Sequence, residues 1–462
     1  MPDIAFQRCM HPDCMATYGE NEVLYACPKC GSLLDVAYDW NRCELPSSLS
    51  FFERRWSTPG RDPVARADYS GVWRFRELLP FTPLENIVTL GEGRTTLQQA
   101  DSLGAAIGLK PGHLFLQYEG FNPSGSFKDN GMTAAFTVAR RCGAASVACA
   151  STGNTSASMA MYARHAAAID GRPLRAVVFV GGEKIAFGKL AQALDFGATT
   201  IQIEGDFDAC MKLVQEAAAR FGLYLMNSVN PFRLEGQKTI MYRVLEGLSW
   251  EAPDWIIVPG GNLGNSSAFG KAFFELKELG LVKRVPRLAI INAMGANALS
   301  ELTAGGLEYA GGRFDAARVK SYFDNWQANG RKAKTIASAI EIGRPVNLSK
   351  ALRSLHVMDG VVRQVSDEQI LDGKALVGSH GFGCEPASGA SVAGLEVLLS
   401  EQVISPSDRV VCILTGHGLK DPDATIAYHQ RVSANSAGRR YTNPPVRCAT
   451  DLGAIETILQ TL

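Results

Sequence analysis

The sequence predicts an α/β fold of two lobes, each a largely parallel sheet wrapped by helices, with a small cysteine-bearing segment in front. From about residue 146 short β-branched runs alternate with helical patterns, the rhythm of βαβ units. The number of those runs exceeds what one sheet holds comfortably. A chain of 462 residues is also too long for a single hydrophobic core.

The elements follow in order. SVACAS reads as a strand, TSASMAMYARHAAA as a helix, RAVVFV as a strand, AFGKLAQALDFG as a helix, TTIQIEG as a strand and DFDACMKLVQEAAARFG as a helix. The alternation continues through LYLMN, FRLEGQKTIMYRVLEGL, DWIIVPGG, LGNSSAFGKAFFELKELG and RLAIINA. A proline- and glycine-rich bend at 381–389 precedes a last strand, RVVCILTG at 409–416. The polar tail from 431 onward ends in GAIETILQTL and is expected to pack on the body. Two lobes of this kind leave a cleft where loops at strand ends gather, which is where ligands belong.

Composition excludes several classes. Lys plus Arg and Asp plus Glu both number 46, so no overall positive field draws nucleic acid or a membrane surface. No apolar run is long enough to span a bilayer and the first residues lack a signal-peptide core, so a cytoplasmic protein is expected. Most of the 11 cysteines sit in apolar or helical surroundings and read as reduced core thiols.

Four motifs carry chemistry. In NPSGSFKDNG (122–131) a turn delivers Lys128 to a helix entrance, where the positive end of the dipole disfavours the charged amine. A neutral lysine is a nucleophile toward an aldehyde; a solvated helix-start lysine is the plain alternative. STGNTSAS (151–158) follows a strand and opens a helix, offering several donors to an anion such as a carboxylate where simple capping needs one. PGGNLGN (259–265) has the same placement, and its glycines permit the close backbone approach that a phosphate needs; the spacing is not that of a dinucleotide loop. In LTGHGLKDP (414–422) Thr415 either presents a hydroxyl to a ring nitrogen or satisfies the strand end.

Together, in this order and with GVWRFRELLP (71–80) and LGEGRTTL (90–97), these motifs resemble the pyridoxal-phosphate enzymes of the tryptophan synthase β-like fold (fold type II), and within them threonine synthase. The resemblance implies that Lys128 carries pyridoxal 5'-phosphate as a Schiff base and that Asn154 meets its phenolic oxygen. It implies that Gly260, Gly261, Asn262, Leu263, Gly264 and Asn265 cradle its phosphate and that Thr415 meets its pyridine nitrogen. A neutral hydroxyl there is expected to leave that nitrogen less protonated. In NSVNPFRLEGQKT (227–239) the resemblance makes Asn227, Ser228 and Arg233, with Thr155, the holders of a substrate phosphate, Ser151 and Thr152 lying in the anion loop. A structural alternative pairs Arg233 with Glu235.

The implied reaction converts O-phospho-L-homoserine and water to L-threonine and phosphate. The expected division is a segment 1–40, a small α/β domain 133–228, and a large cofactor-binding domain from 41–132 and 229–462; fold analogy suggests a homodimer. Other enzymes of the same fold, such as cysteate synthase or threonine dehydratase, are the near alternatives, and a silent metabolite-binding relative is the distant one. The sequence departs from the family pattern at Arg94 and Thr96 and at Asn130, where an arginine is usual. Cys9, Cys14, Cys27 and Cys30 form two pairs laid out like a zinc ribbon, with His11 as a substitute ligand; a structural zinc is one reading, and a degenerate ribbon or a reduced extension without metal is the other.

Overall fold

The computed structural model describes residues 4–56, 60, 62–181, 187–204, 207–430 and 440–460. Three sheets organise them. The first is antiparallel, in the order β2-β1-β3, from β1 (Ala5–Cys9), β2 (Thr17–Gly19) and β3 (Leu34–Tyr38).

The second has six strands: β4 (Thr96–Gln99), β5 (Leu114–Tyr118), β10 (Trp255–Pro259), β11 (Arg287–Ala293), β12 (Val361–Val365) and β13 (Val410–Leu414). Their order is β12-β11-β10-β13-β5-β4, parallel except at the β4 edge. The third is a parallel sheet of β6 (Ser146–Ala150), β7 (Arg175–Gly181), β8 (Thr199–Ile203) and β9 (Tyr224–Leu225) in the order β8-β7-β6-β9.

Central strands of these two sheets are covered on both faces, which is why β6, β10 and β13 are buried throughout and, Ser146 apart, apolar rather than alternating. In β10 and β11, Ile256, Val258, Leu288 and Ile290 face one core, while Trp255, Ile257, Ala289 and Ile291 face the other. The edge strand β8 stays polar and half-exposed, as an unpaired edge requires.

The Lys128–Arg141 helix crosses the Pro231–Gly247 helix so closely that a Cβ on Gly236 would stand 1.8 Å from Asn130 O. Only glycine allows that crossing. The terminal Leu452–Leu459 helix buries none of its residues, and Leu452 is 82% exposed; this helix does not pack on the body as expected. Among the described residues no helix is long and apolar enough to cross a membrane.

Candidate active site

The loops that carry the motifs all leave the C-terminal ends of parallel strands, the end where open α/β sheets place ligands. β5 runs into the lysine turn, β6 into 151–158, β9 into 226–230, β10 into 260–265 and β13 into Thr415. Two of these loops are zipped together: Phe127 N donates to Thr415 O at 2.9 Å and His417 N to Gly125 O at 2.9 Å. The chain at Cys384–Glu385 joins the other side, Glu385 N donating to Gly416 O at 3.1 Å. Lys128, Thr415 and Glu385 thus meet through backbone bonds alone.

Lys128 is the first residue of its helix and pairs with no carboxylate among the described residues. Burial holds its amine at about 7, far below 10.5; the nearby Arg233 guanidinium pushes the same way and Glu385 pulls back. Next to it, burial raises Asp129 to about 6 even though Ser124 N (2.6 Å), Ser124 Oγ (2.6 Å) and Ser158 Oγ donate to its carboxylate. Those bonds fix the lysine turn and tie it to the Asn154–Asp170 helix.

Asn154 begins that helix behind Gly153, and its Nδ2 donates across the cleft to Glu385 Oε2 at 2.8 Å. Thr415 Oγ1 donates to Glu385 Oε1 at 2.9 Å and lies 2.9 Å from Ser388 Oγ. Sequence reasoning missed Glu385: its signal was the bend at 381–389, taken only as a turn.

The 260–265 loop ends in Leu263, which is left-handed (φ 62°), and no side chain caps the Gly264–Glu278 helix that follows. A Cβ on Gly260 would meet Asn292 Nδ2 at 2.6 Å, and one on Gly261 would meet Ile340 Cα at 3.0 Å. Asn262 O accepts from Asn347 N and Nδ2, both at 3.3 Å, which anchors the loop from behind. Ser126 Oγ, Gln237 Oε1, Asn265 Oδ1 and Ser266 Oγ are buried without a hydrogen-bond partner. Buried polar atoms without partners are rare, and here they border the uncapped helix and the lysine turn. The two hydroxyls and the uncapped N–H groups of the helix can donate to a phosphate, while the two amide oxygens can only accept, as from a ligand's own donor.

Arg233 is buried on the Pro231–Gly247 helix and makes no ion pair among the described residues. Its Nη1 donates to Met226 O at 2.8 Å and its Nε is unpartnered. Burial lowers it from 12.5 to about 10, with the Cys149 thiol acting in the opposite direction. The alternative pairing with Glu235 is not made: Glu235 meets Lys238 at 2.6 Å, Lys271, and the hydroxyl of Tyr38 at 2.5 Å. Asn227 spends both ends of its amide on Ala150, accepting from N at 3.0 Å and donating to O at 3.1 Å, which clamps its loop to the end of β6. Ser151 Oγ accepts from Gly153 N at 3.2 Å; Ser151, Thr152, Thr155 and Ser228 are all half-buried.

The departures fall on either side of this site. Arg94 stacks its guanidinium over Tyr69 (4.1 Å) and Trp56 (4.8 Å) at the surface. Asn130 lies in a buried network in which its Nδ2 donates to Glu119 Oε2 at 2.6 Å and its Oδ1 accepts from Arg243 at 3.0 Å. Arg243 pairs with Glu119 at 2.8 Å, so a guanidinium reaches the Asn130 position from the neighbouring helix.

At the N-terminus the four thiols converge, every Sγ lying within 4.8 Å of the others. The contacts of Cys9 with Cys30 (3.4 Å) and Cys14 with Cys27 (3.7 Å) are close to the ~3.8 Å edge of a tetrahedron with ~2.3 Å zinc–sulfur bonds. His11 Nδ1 instead accepts from Asp13 N at 3.3 Å and stands outside that group.

Residues 88–416 match the family model described as pyridoxal-phosphate dependent enzyme. The threonine synthase of Methanocaldococcus jannaschii is 39% identical over 99% of this chain and 100% of that protein. That of Synechocystis is 40% identical over 80% of this chain and 89% of its own length. Among solved structures, threonine synthase from Escherichia coli superposes with a TM-score of 0.64 at 16% identity, covering 99% of both chains; maize serine racemase gives 0.53 at 20% identity, covering 70% of this chain and 88% of its own. The fold is therefore the two-lobed fold type II architecture, and the chain belongs to the pyridoxal-phosphate-dependent enzymes and, within them, to the threonine synthase family.

Proposed function

We propose that this chain converts O-phospho-L-homoserine and water to L-threonine and phosphate. The observation that supports it most is the buried Arg233 guanidinium, without a carboxylate partner among the described residues and close enough to Lys128 to lower its pKa. A buried unpaired cation is costly unless an anion joins it, and a phosphorylated substrate brings one.

Pyridoxal phosphate, when bound, supplies the electron sink for chemistry at the substrate's α- and β-carbons. Lys128 holds it, with Asn154, Thr415 and the loop Gly260, Gly261, Asn262, Leu263, Gly264 and Asn265. A Lys128 amine that titrates at about 7 is suited to take the Cα proton and later return it. Arg233, Ser228 and Thr155 hold the phosphate as the Cγ–O bond breaks, neutralising charge that grows on the leaving group. Ser151 and Thr152 orient the substrate carboxylate at the start of the Asn154–Asp170 helix. Asn227 keeps the phosphate-holding loop in register through Ala150. A proton leaves Cβ as the phosphate departs from Cγ, Cγ takes up a proton, the hydroxyl of water adds at Cβ as its proton is released, and the Cα proton is restored.

With this reading go a large domain of 41–132 and 229–462, a small domain of 133–228, a structural zinc held by Cys9, Cys14, Cys27 and Cys30 in the segment 1–40, a homodimer, and a cytoplasmic location. The test is phosphate release and threonine formation from O-phospho-L-homoserine, with phosphoserine plus sulfite and threonine alone as comparators. Arg233→Lys should lower kcat/KM by about 10- to 100-fold, the worth of one charged hydrogen bond. Keto-acid release from threonine with no turnover of the phosphorylated substrate would overturn the proposal.

A further inference from the structure

We propose that Glu385 sets the protonation state of the cofactor ring, acting as a positioning residue through Thr415 and Asn154; this rests on the ring placement proposed above.

Hydrogen-bond counting carries the argument. A hydroxyl has one hydrogen and two lone pairs. Thr415 Oγ1 gives its hydrogen to Glu385 Oε1 at 2.9 Å, an acceptor-only carboxylate. Ser388 Oγ accepts from Gly416 N at 3.2 Å, which leaves the Ser388 hydrogen for Thr415, 2.9 Å away. The chain of donors therefore runs from Gly416 through Ser388 and Thr415 to Glu385, each bond polarising the next. What Thr415 has left is a lone pair. Facing a ring nitrogen, a lone pair welcomes an N–H and repels a bare nitrogen.

Asn154 completes the pattern. One hydrogen of its Nδ2 goes to Glu385 Oε2 at 2.8 Å, which decides the end of the amide that faces the carboxylate. The second hydrogen is free for a phenolate oxygen. Both arms of Glu385 thus favour the same charge distribution, a protonated nitrogen with an ionised oxygen. The local structure reserves space for it: Glu385 is buried, and a Cβ on Gly416 would stand 2.6 Å from its carboxyl carbon. Lys128 and Lys420 are its cationic neighbours; Lys420 already donates to Ser124 O at 2.9 Å. This reverses the expectation from Thr415 alone, that a neutral hydroxyl leaves the nitrogen bare.

The experiment loads the full chain with pyridoxal phosphate whose ring nitrogen carries an NMR-active label and records that nitrogen's chemical shift at neutral pH. The wild-type holoenzyme should show the protonated position, and Glu385→Gln the unprotonated one, because the amide can donate to Thr415 and release its hydrogen toward the ring. Glu385→Asp should recover part of the protonated signal. An unprotonated nitrogen in the coloured wild-type holoenzyme overturns the proposal even if no variant folds, and so does a Glu385→Gln holoenzyme that keeps the protonated signal. A wild-type protein that takes up no cofactor overturns the ring placement itself, and this proposal with it.

Discussion

Replacing Arg233 with methionine should stabilise the cofactor-free protein while removing its action on the phosphorylated substrate. The fall of the guanidinium from 12.5 to about 10 corresponds to a penalty of about 3 kcal/mol on the charged form in the fold. Because the folded value is the lower one, that penalty is present in full below about pH 10 and fades only toward 12.5. The bond to Met226 O, at 2.8 Å, offsets about half of it. Methionine matches the length without the charge, so a net gain of about 1 to 2 kcal/mol is expected in urea titrations near neutral pH. Inorganic phosphate gives the complementary measurement. Measured on the cofactor-loaded proteins, whose glycine loop is already filled, phosphate at ten times its dissociation constant should stabilise the wild-type protein by about 1.4 kcal/mol and the variant by nothing measurable. Destabilisation of the variant by more than 1 kcal/mol, or an equal response of both proteins to phosphate, would show that Arg233 is a structural cation and refute the reasoning.

Three further outcomes are expected. The rate at which the cofactor-free protein captures pyridoxal phosphate should rise with pH and level off just above 7, where the Lys128 amine becomes neutral; an inflection near 10 in stopped-flow absorbance would contradict this. Gly260→Ala should cost about 1 to 3 kcal/mol of stability, since its Cβ meets buried Asn292 and Ile290. Gly264→Ala meets the end of the Gln237 side chain at 3.2 Å and Leu234 in ordinary contact at 3.6 Å, so it should alter stability by less than about 1 kcal/mol and weaken cofactor binding measured by equilibrium dialysis. Elemental analysis should find one zinc per chain, lost in Cys27→Ser, and chelation should open residues 5–38 to limited proteolysis while the rest of the chain resists.

The sequence was legible where chemistry and periodicity coincide. Strands β6, β10 and β13 are buried along their whole length and β11 nearly so, so each is a short apolar run, and the loops that follow β6, β10 and β13 carry residues of the candidate site. β12 and β4 lacked that signal: VVRQV is half-exposed for most of its length, and TLQQ is an edge strand with polar residues. β5 is short and sits ahead of the stretch where the rhythm is regular. Glu385 was invisible for another reason. Its partners Asn154 and Thr415 lie 231 and 30 residues away, so no local spacing marks it, and only the ladder of 125–127, 415–417 and 384–385 brings them together. The Arg243–Glu119 pair is the same kind of case, with 124 residues between partners.

The strongest sign of function is an asymmetry among buried cations. Lys238 is fully buried yet lies above its ordinary value: burial opposes the charge, but Glu235 and Glu275, at 2.6 and 2.5 Å, outweigh it. Arg243 has Glu119 at 2.8 Å, and Lys271 has Asp35, Glu235 and Glu275 around it. These cations hold the N-terminal sheet and the crossing helices in place; Lys350 and Arg353 do so through Asp35 on β3. Burial lowers Lys350 too, to about 8, but Asp35 stands 3.7 Å away; Lys128 and Arg233 are as deeply buried, are pulled down by burial, and carry no carboxylate partner among the described residues. A fold that pairs its other buried cations at this level had the means to pair these two. Leaving them unpaired destabilises the free protein, and under the function proposed above the instability is relieved when an aldehyde consumes the amine and a phosphate meets the guanidinium. Arg233 lies on the same helix as Glu235, Lys238 and Arg243, so a single element carries both paired and unpaired buried charge. That helix is therefore where the stability of the fold and the affinity of the site are set against each other, and substitutions along it should sort by the direction in which the side chain points.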